Sequence, residues 1–204
     1  MGGEKFGLIR FDEDGHYLNF KSNTPCAAGT GSFLDQQANR LNLSGIANLS
    51  RMAFNNRGPV PKIATRCAVF AKTDLTHAQQ EGFTMSEICD GLCLGLARNI
   101  VDTLFRGENF NTPVVFTGGV SLNRAVVQHI ESLIGTKVIA RDTLFYGAIG
   151  AALNLLDEFT LLKPLKIQSI DQILIPQNAR RHYVHAPLAL NLSDYPDFDG
   201  IESY

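Results

Sequence analysis

The segment from Met85 to Arg106 constrains the fold most. Met85, Ile88, Cys89, Leu92, Leu96, Ile100, Val101 and Leu104 recur at helical spacing along one side of it. A long helix with one apolar stripe cannot stand alone in water, so the rest of the chain has to cover that stripe. Thr84 precedes the segment as a candidate N-cap, and Glu87 follows three residues later, the pairing of a capping box. Gly107 marks its end.

The flanking sequence supplies candidates for the cover. Phe6–Phe11 and His16–Phe20 are apolar-rich runs on either side of Asp14-Gly15, a strong turn pair, and predict a hairpin. Ser32–Arg40 and Leu43–Phe54 read as helices, the second stopped by the breaker stretch Asn55-Asn-Arg-Gly-Pro-Val-Pro61. Ala68–Ala71 is a short strand candidate, and Asp74–Glu81 a short helix closed by Gly82. Beyond the long helix, Val114–Thr117 reads as a strand running into Gly118-Gly119. Ser121–Ile134 follows as a helix, Lys137–Ala140 as a strand and Gly147–Phe159 as a last helix. Antiparallel strands followed by alternating helices and strands predict an α/β layered architecture. Past Phe159 the prolines at 164, 176, 187 and 196 and the polar runs change the character of the chain. Residues 1–159 are therefore expected to form one lobe, and 160–204 an extended tail or linker toward a following domain.

The chain has 204 residues, enough for one large domain or one lobe of a two-lobe protein. A net charge of -2 gives no basis for a nucleic-acid partner. No apolar run reaches the roughly 18 residues that a membrane span needs. The N-terminus shows no signal-peptide pattern. Four cysteines, at 26, 67, 89 and 93, are too few for a disulfide scaffold. The expectation is a cytoplasmic protein with reduced thiols and neither nucleic-acid nor membrane partners. Met1-Gly-Gly-Glu-Lys-Phe opens with no lead-in, as a fragment of a longer protein would.

Three glycine-rich turns could hold a ligand, and each has a plainer alternative. Gly2-Gly3 precedes the hairpin; paired glycines let backbone N–H groups approach a phosphate, and Glu4 would then hold a metal-bound water. The plainer alternative, a simple turn, is the stronger reading of this stretch by itself. Gly29-Thr30-Gly31-Ser32 stands at a helix entrance, where unpaired N–H groups and the positive dipole end favour an anion. The alternative is an ordinary helix start with Ser32 as N-cap. Thr117-Gly118-Gly119 ends a strand just before a helix, the place where α/β sheets bind nucleotides, and Asn123 lies just beyond. The alternative is a tight strand-to-helix connection.

The cysteines fall into two classes. Cys89 and Cys93 lie in the apolar stripe and read as small core residues. Cys26 and Cys67 lie beside element starts, and a helix N-terminus favours a thiolate. Two thiolates cannot complete a four-thiolate site unless a second copy supplies the others across a two-fold axis. The histidines, at 16, 77, 129, 182 and 185, show no metal-ligand spacing. Neither a Gly-x-Ser-x-Gly elbow nor a Walker-type loop is present.

Taken together, Gly2-Gly3-Glu4, Cys26-Ala-Ala-Gly-Thr-Gly-Ser-Phe-Leu-Asp35, Cys67-Ala-Val-Phe-Ala71, Gly118-Gly-Val-Ser-Leu-Asn123 and Gly147-Ala-Ile-Gly-Ala-Ala152 carry a resemblance. In this order they resemble the ATP-dependent activases of 2-hydroxyacyl-CoA dehydratases and the benzoyl-CoA reductase ATPase subunits, the BadF/BadG/BcrA/BcrD-type family. The resemblance covers residues 1 to about 157, and its Cys-Ala-Ala-Gly-Thr-Gly block is the specific part. It implies a ribonuclease-H-like lobe of the actin/Hsp70/sugar-kinase ATPase fold. It implies ATP or ADP with Mg²⁺, and a 4Fe–4S cluster shared across a homodimer, or a pseudo-dimer with a second fused module. Its partner would be an acyl-CoA dehydratase or reductase component that receives single electrons.

Carried over, Cys26 and Cys67 become cluster ligands, and Gly2, Gly3 and Glu4 the second phosphate loop. Gly118 and Gly119 become the adenosine loop. Gly29, Thr30 and Gly31 would couple nucleotide state to the cluster. The family's first phosphate loop, an Asp-x-Gly-Ser/Thr turn, is not among these residues, so the isolated chain is expected to turn over ATP near background. Lys5 stands where many members carry an acid, which bears on Mg²⁺ handling. The other readings of the same fold are a non-redox interaction module and a sugar kinase or carbamoyltransferase.

Overall fold

The structure, a computed structural model, describes residues 3–23, 30–65, 67–105, 112–158 and 169. The elements lie in one compact unit, residues 1–159. In chain order they are β1 (Gly7–Phe11), β2 (Tyr17–Ser22), α1 (Gly31–Arg40), α2 (Ile46–Phe54), α3 (Ala68–Gln80) and α4 (Met85–Leu104). There follow β3 (Val114–Val115), α5 (Arg124–Ile134), β4 (Val138–Ile139) and α6 (Tyr146–Glu158). Met1, Gly2, Cys26, Gly29, Arg106, Gly107, Phe159 and the expected tail except Ser169 lie outside the described residues.

The long helix is the spine. Ile88, Cys89, Leu92, Cys93, Leu96, Ala97, Ile100 and Leu104 of α4 are buried, and α2, α3, α5 and β2 pack against it. The capping box forms as expected. Thr84 accepts from the Glu87 amide, and Glu87 Oε2 receives the Thr84 amide at 2.7 Å. Arg124 at the start of α5 stacks its guanidinium over the Phe54 ring of α2, 4.1 Å from the centroid, joining those two helices over α4.

The hairpin is antiparallel, with Ile9 opposite Phe20 and an irregularity between Arg10 and Phe11. Asp12 closes its turn: Oδ1 accepts from the amides of Asp14 and His16. Asp14-Gly15 thus sits at the turn, as expected. β3 and β4 pair in parallel, Val114 with Val138 and Val115 with Ile139, through the α5 crossover that parallel pairing requires.

Three elements differ from the sequence expectation. Residues 68–71 are the first turn of α3, not a strand. Val69 and Phe70 are exposed while Ala71, Leu75 and Ala78 are buried, the three-to-four spacing of a helix face. The helix expected from Ser121 begins at Arg124. A single 3-10 turn, Gly119–Leu122, precedes it, and Asn123 is extended between the two. The helix expected from Leu43 begins at Ile46.

Candidate functional site

The site is built where loops meet helix starts. At the entrance of α1, Thr30 occupies the N-cap position in extended conformation and is fully buried. Ser32 is therefore inside the helix rather than its cap. Its amide and its hydroxyl both donate to the carbonyl oxygen of Gly3, at 2.9 and 2.6 Å. That double bond of contact docks the loop carrying Gly3 and Glu4 onto the start of α1. Glycine at position 3 fits the approach, since a Cβ there would lie 3.0 Å from Ser32 Oγ.

Asn23, which the sequence reading passed over, holds the same loop from below. Its Oδ1 accepts the Phe6 amide at 2.9 Å, and its Nδ2 donates to the Glu4 carbonyl at 3.4 Å. Glu4 is left exposed at the loop. The first turn of α1 contains no acidic residue, so its positive end is not neutralised from within the helix.

The second turn is held differently. Gly118 has φ 91° and ψ 175°, a conformation that in practice only glycine adopts. Its carbonyl accepts both the amide and the hydroxyl of Ser121, at 2.9 and 2.8 Å. A Cβ on Gly119 would meet nothing within 4 Å, so this face of the turn is open. Asn123 turns its side chain into the protein. Its Oδ1 caps α5 by accepting the Val126 amide and receives the Ser50 hydroxyl at 3.0 Å, while Nδ2 donates to Cys93 Sγ at 3.6 Å. The structure thus brings Gly3, Glu4, Thr30 and Gly31 together. The Gly118–Gly119 turn is linked to them through α2, which touches both α1 and α5.

Cys67 occupies the N-cap position of α3, extended, with no side-chain capping bond and no acid in the first helical turn. Its thiol is half-buried and in no disulfide. A sulfur so placed, half-buried and not engaged as a cap, is left available to a ligand. Cys89 and Cys93 are not. Both are fully buried, and burial, with a smaller contribution from the Asp90 charge, pushes the Cys89 thiol up to about 11. Burial raises Cys93 as well, further than its bond with Asn123 lowers it.

Two polar clusters were not legible from spacing. Asp90 on α4 meets His129 on α5 at 2.6 Å and receives Asn56 Nδ2 at 3.0 Å. Burial alone would raise the Asp90 carboxyl, but the hydrogen bonds from His129 and Asn56 and the charge of His129 outweigh it and hold the group below the usual carboxylate range. On the hairpin, Asp12, Asp14 and His16 bring their ligand atoms within 4.8 Å of one another. The turn accounts for that cluster, because Asp12 is already its acceptor. Among the described residues no helix is long and apolar enough to cross a membrane.

The profile of the BadF/BadG/BcrA/BcrD ATPase family matches residues 1–154. The chain belongs to this ATPase family. A 2-hydroxyisocaproyl-CoA dehydratase activator of Clostridioides difficile is 32% identical to it over 159 residues, 78% of this chain and 59% of the relative. An activator of lactoyl-CoA dehydratase of Anaerotignum propionicum is 34% identical over 156 residues, 75% of this chain and 58% of the relative. The solved structure of the activator of the 2-hydroxyisocaproyl-CoA dehydratase from Clostridium difficile, with bound ADPNP, superposes with a TM-score of 0.69 at 28% identity. It covers 80% of this chain and 63% of that one. The chain spans about three-fifths of the length of these relatives. The α/β fold expected from the family, a lobe of the actin-type ATPases, is borne out by this likeness.

Proposed function

We propose that the chain is the nucleotide- and cluster-bearing lobe of an ATP-hydrolysing activase that delivers single electrons to an acyl-CoA dehydratase or reductase component. The observation that carries this reading is the capture of the Gly3 carbonyl by Ser32. It joins the first glycine pair to the helix that completes the Cys26–Asp35 run. The Gly3–Glu4 loop and the start of α1 are thereby tied to each other.

In this reading the Gly3 turn offers its backbone to the phosphates, and the positive end of α1 at Thr30 and Gly31 adds to the cradle; Gly2 and Gly29, outside the described residues, would extend it. Glu4 orients Mg²⁺ or the attacking water; phosphoryl transfer to water depends on such positioning and on neutralising charge. Gly118 and Gly119 leave room for the adenosine. Asn123 contributes by fixing the start of α5 behind that turn. Cys26 and Cys67 would hold half of a 4Fe–4S cluster, the other half coming from a second copy or a second fused module; the cluster supplies the one-electron carrier. In this reading a change of nucleotide state at the Gly3 loop would be passed to α1 through the bonds between Gly3 and Ser32.

Anaerobic reconstitution tests this directly. The expected result is a 4Fe absorption and EPR signature with one cluster per two chains. Cys26→Ala and Cys67→Ala should each abolish it, and Cys93→Ala should leave it in place. An unchanged signature in the first two variants would remove both cysteines from the cluster.

A further inference from the structure

Residues 61–65, outside any helix or strand, form a strap that ends two positions before Cys67. Pro61, Ile63 and Thr65 are buried, while Lys62 between them is exposed. The strap lies on α4 at two glycines about one helical turn apart, Gly91 and Gly95. A Cβ on Gly91 would come within 2.6 Å of the Pro61 carbonyl oxygen. One on Gly95 would meet Thr65 Cγ2 at 2.5 Å and the Ile63 carbonyl oxygen at 2.8 Å. Non-bonded atoms do not approach so closely, so any side chain at these positions lifts the strap from the helix.

The strap is also held from α3. The Ala64 amide donates to Asp74 Oδ2 at 2.7 Å, and Asp74 lies in α3, the helix that Cys67 begins. A groove of about 230 Å³ runs beside the notch, lined by the strap and by Gly91, Leu94, Gly95 and Arg98 of α4. The strap therefore borders open space and can shift if either anchor is lost. Its last residue, Thr65, stands two positions before Cys67.

We propose that Gly91, Gly95 and Asp74 are positioning residues for Cys67. Gly91 seats the start of the strap, Gly95 and Asp74 hold its end two positions before Cys67, and the held strap limits where the Cys67 sulfur stands. The proposal rests on reading Cys67 as a ligand, but its test needs no cluster.

The metal-free chain is treated with iodoacetamide, and the alkylation of each cysteine is followed by peptide mass spectrometry. Cys89 and Cys93, fully buried, report opening of the whole fold in the same molecules. Gly95→Ala and Asp74→Ala are expected to change the Cys67 rate about threefold or more, because thiol reactivity follows local environment. The Cys89 and Cys93 rates should not follow. Asp74→Asn, which keeps an acceptor oxygen for Ala64, should restore the parent rate. The proposal is overturned if Cys67 reacts at the parent rate in both variants, or if Cys89 and Cys93 accelerate by the same factor. If Gly95→Ala does not fold, the Asp74→Ala and Asp74→Asn pair decides. Failure of the parent chain to take up iron would count against the cluster reading alone and leave the alkylation result standing.

Discussion

At the scale of single residues, the pair Asp90–His129 ties α4 to α5 through a polar contact of 2.6 Å. Neither side chain is more than about a fifth exposed, with values of 12% and 21%. His129→Ala leaves a nearly buried carboxylate with one partner, Asn56, and is expected to cost about 1–3 kcal/mol in chemical denaturation. The pH dependence follows from the depressed Asp90 carboxyl. Its contribution is fully present above the unfolded value of 3.8 and is lost as pH falls through the lower folded value. The stability gap between parent and variant should therefore hold at neutral pH and shrink below pH 3.8. This pair could not have been read from the sequence, because the two residues stand 39 positions apart and meet only when α4 and α5 cross. Asn23 was equally hidden. An asparagine at a strand end is common, and its role appears only once the Glu4–Phe6 backbone lies beside it. Cys89 and Cys93 were legible, because their apolar periodicity alone placed them in the core.

At the scale of elements, periodicity succeeded where an element was long and failed where it was short. The α4 stripe and its capping box were plain, since about five turns average out local exceptions. Residues 68–71 were not, because four apolar residues fit a strand and a helix turn equally well. What decides them is Cys67 in the N-cap position and the burial of Ala71 with Leu75 behind it. Asn123 settled the start of α5 in a similar way: a capping side chain overrode the helical reading of Ser121 and Leu122. The turn between β3 and α5 carries a prediction of its own. Gly118→Ala forces a side chain into a glycine-only conformation and is expected to cost about 1–3 kcal/mol and, on the function proposed above, to weaken binding of an ATP analogue. Gly119→Ala, with nothing within 4 Å of the new Cβ, should keep the parent melting temperature. Calorimetric titration with the analogue, run beside thermal melts, separates the two.

At the scale of the whole molecule, burial is uneven. The core gathers around α4, whereas the hairpin exposes Phe11, Tyr17 and Phe20, and α6 exposes Ile149, Leu153 and Leu156. Leu92 is 0% exposed and Leu153 56%. Leu92→Ala should accordingly cost about 2–5 kcal/mol, and Leu153→Ser should stay within about 0.5 kcal/mol of the parent in denaturant melts. Fold class was legible from the order of elements, because hairpin, helices and alternating units admit few layered arrangements. The glycine turns were visible as motifs, but their grouping was not. That Gly3 belongs with Ser32, 29 positions later, is a product of tertiary packing.

The strap under Cys67 also fixes an order of assembly. Cys67 is made before α4 during synthesis, yet the notch that seats its strap belongs to α4. A chain released or trapped before that helix has packed would present its thiol without an address. If Cys67 is the ligand proposed above, its geometry is completed only when α4 has packed against the strap. On that proposal, maturation would run in one direction, from a packed helical core to a loaded metal site, and a chain that fails to pack would not hold its thiol where the proposed site needs it.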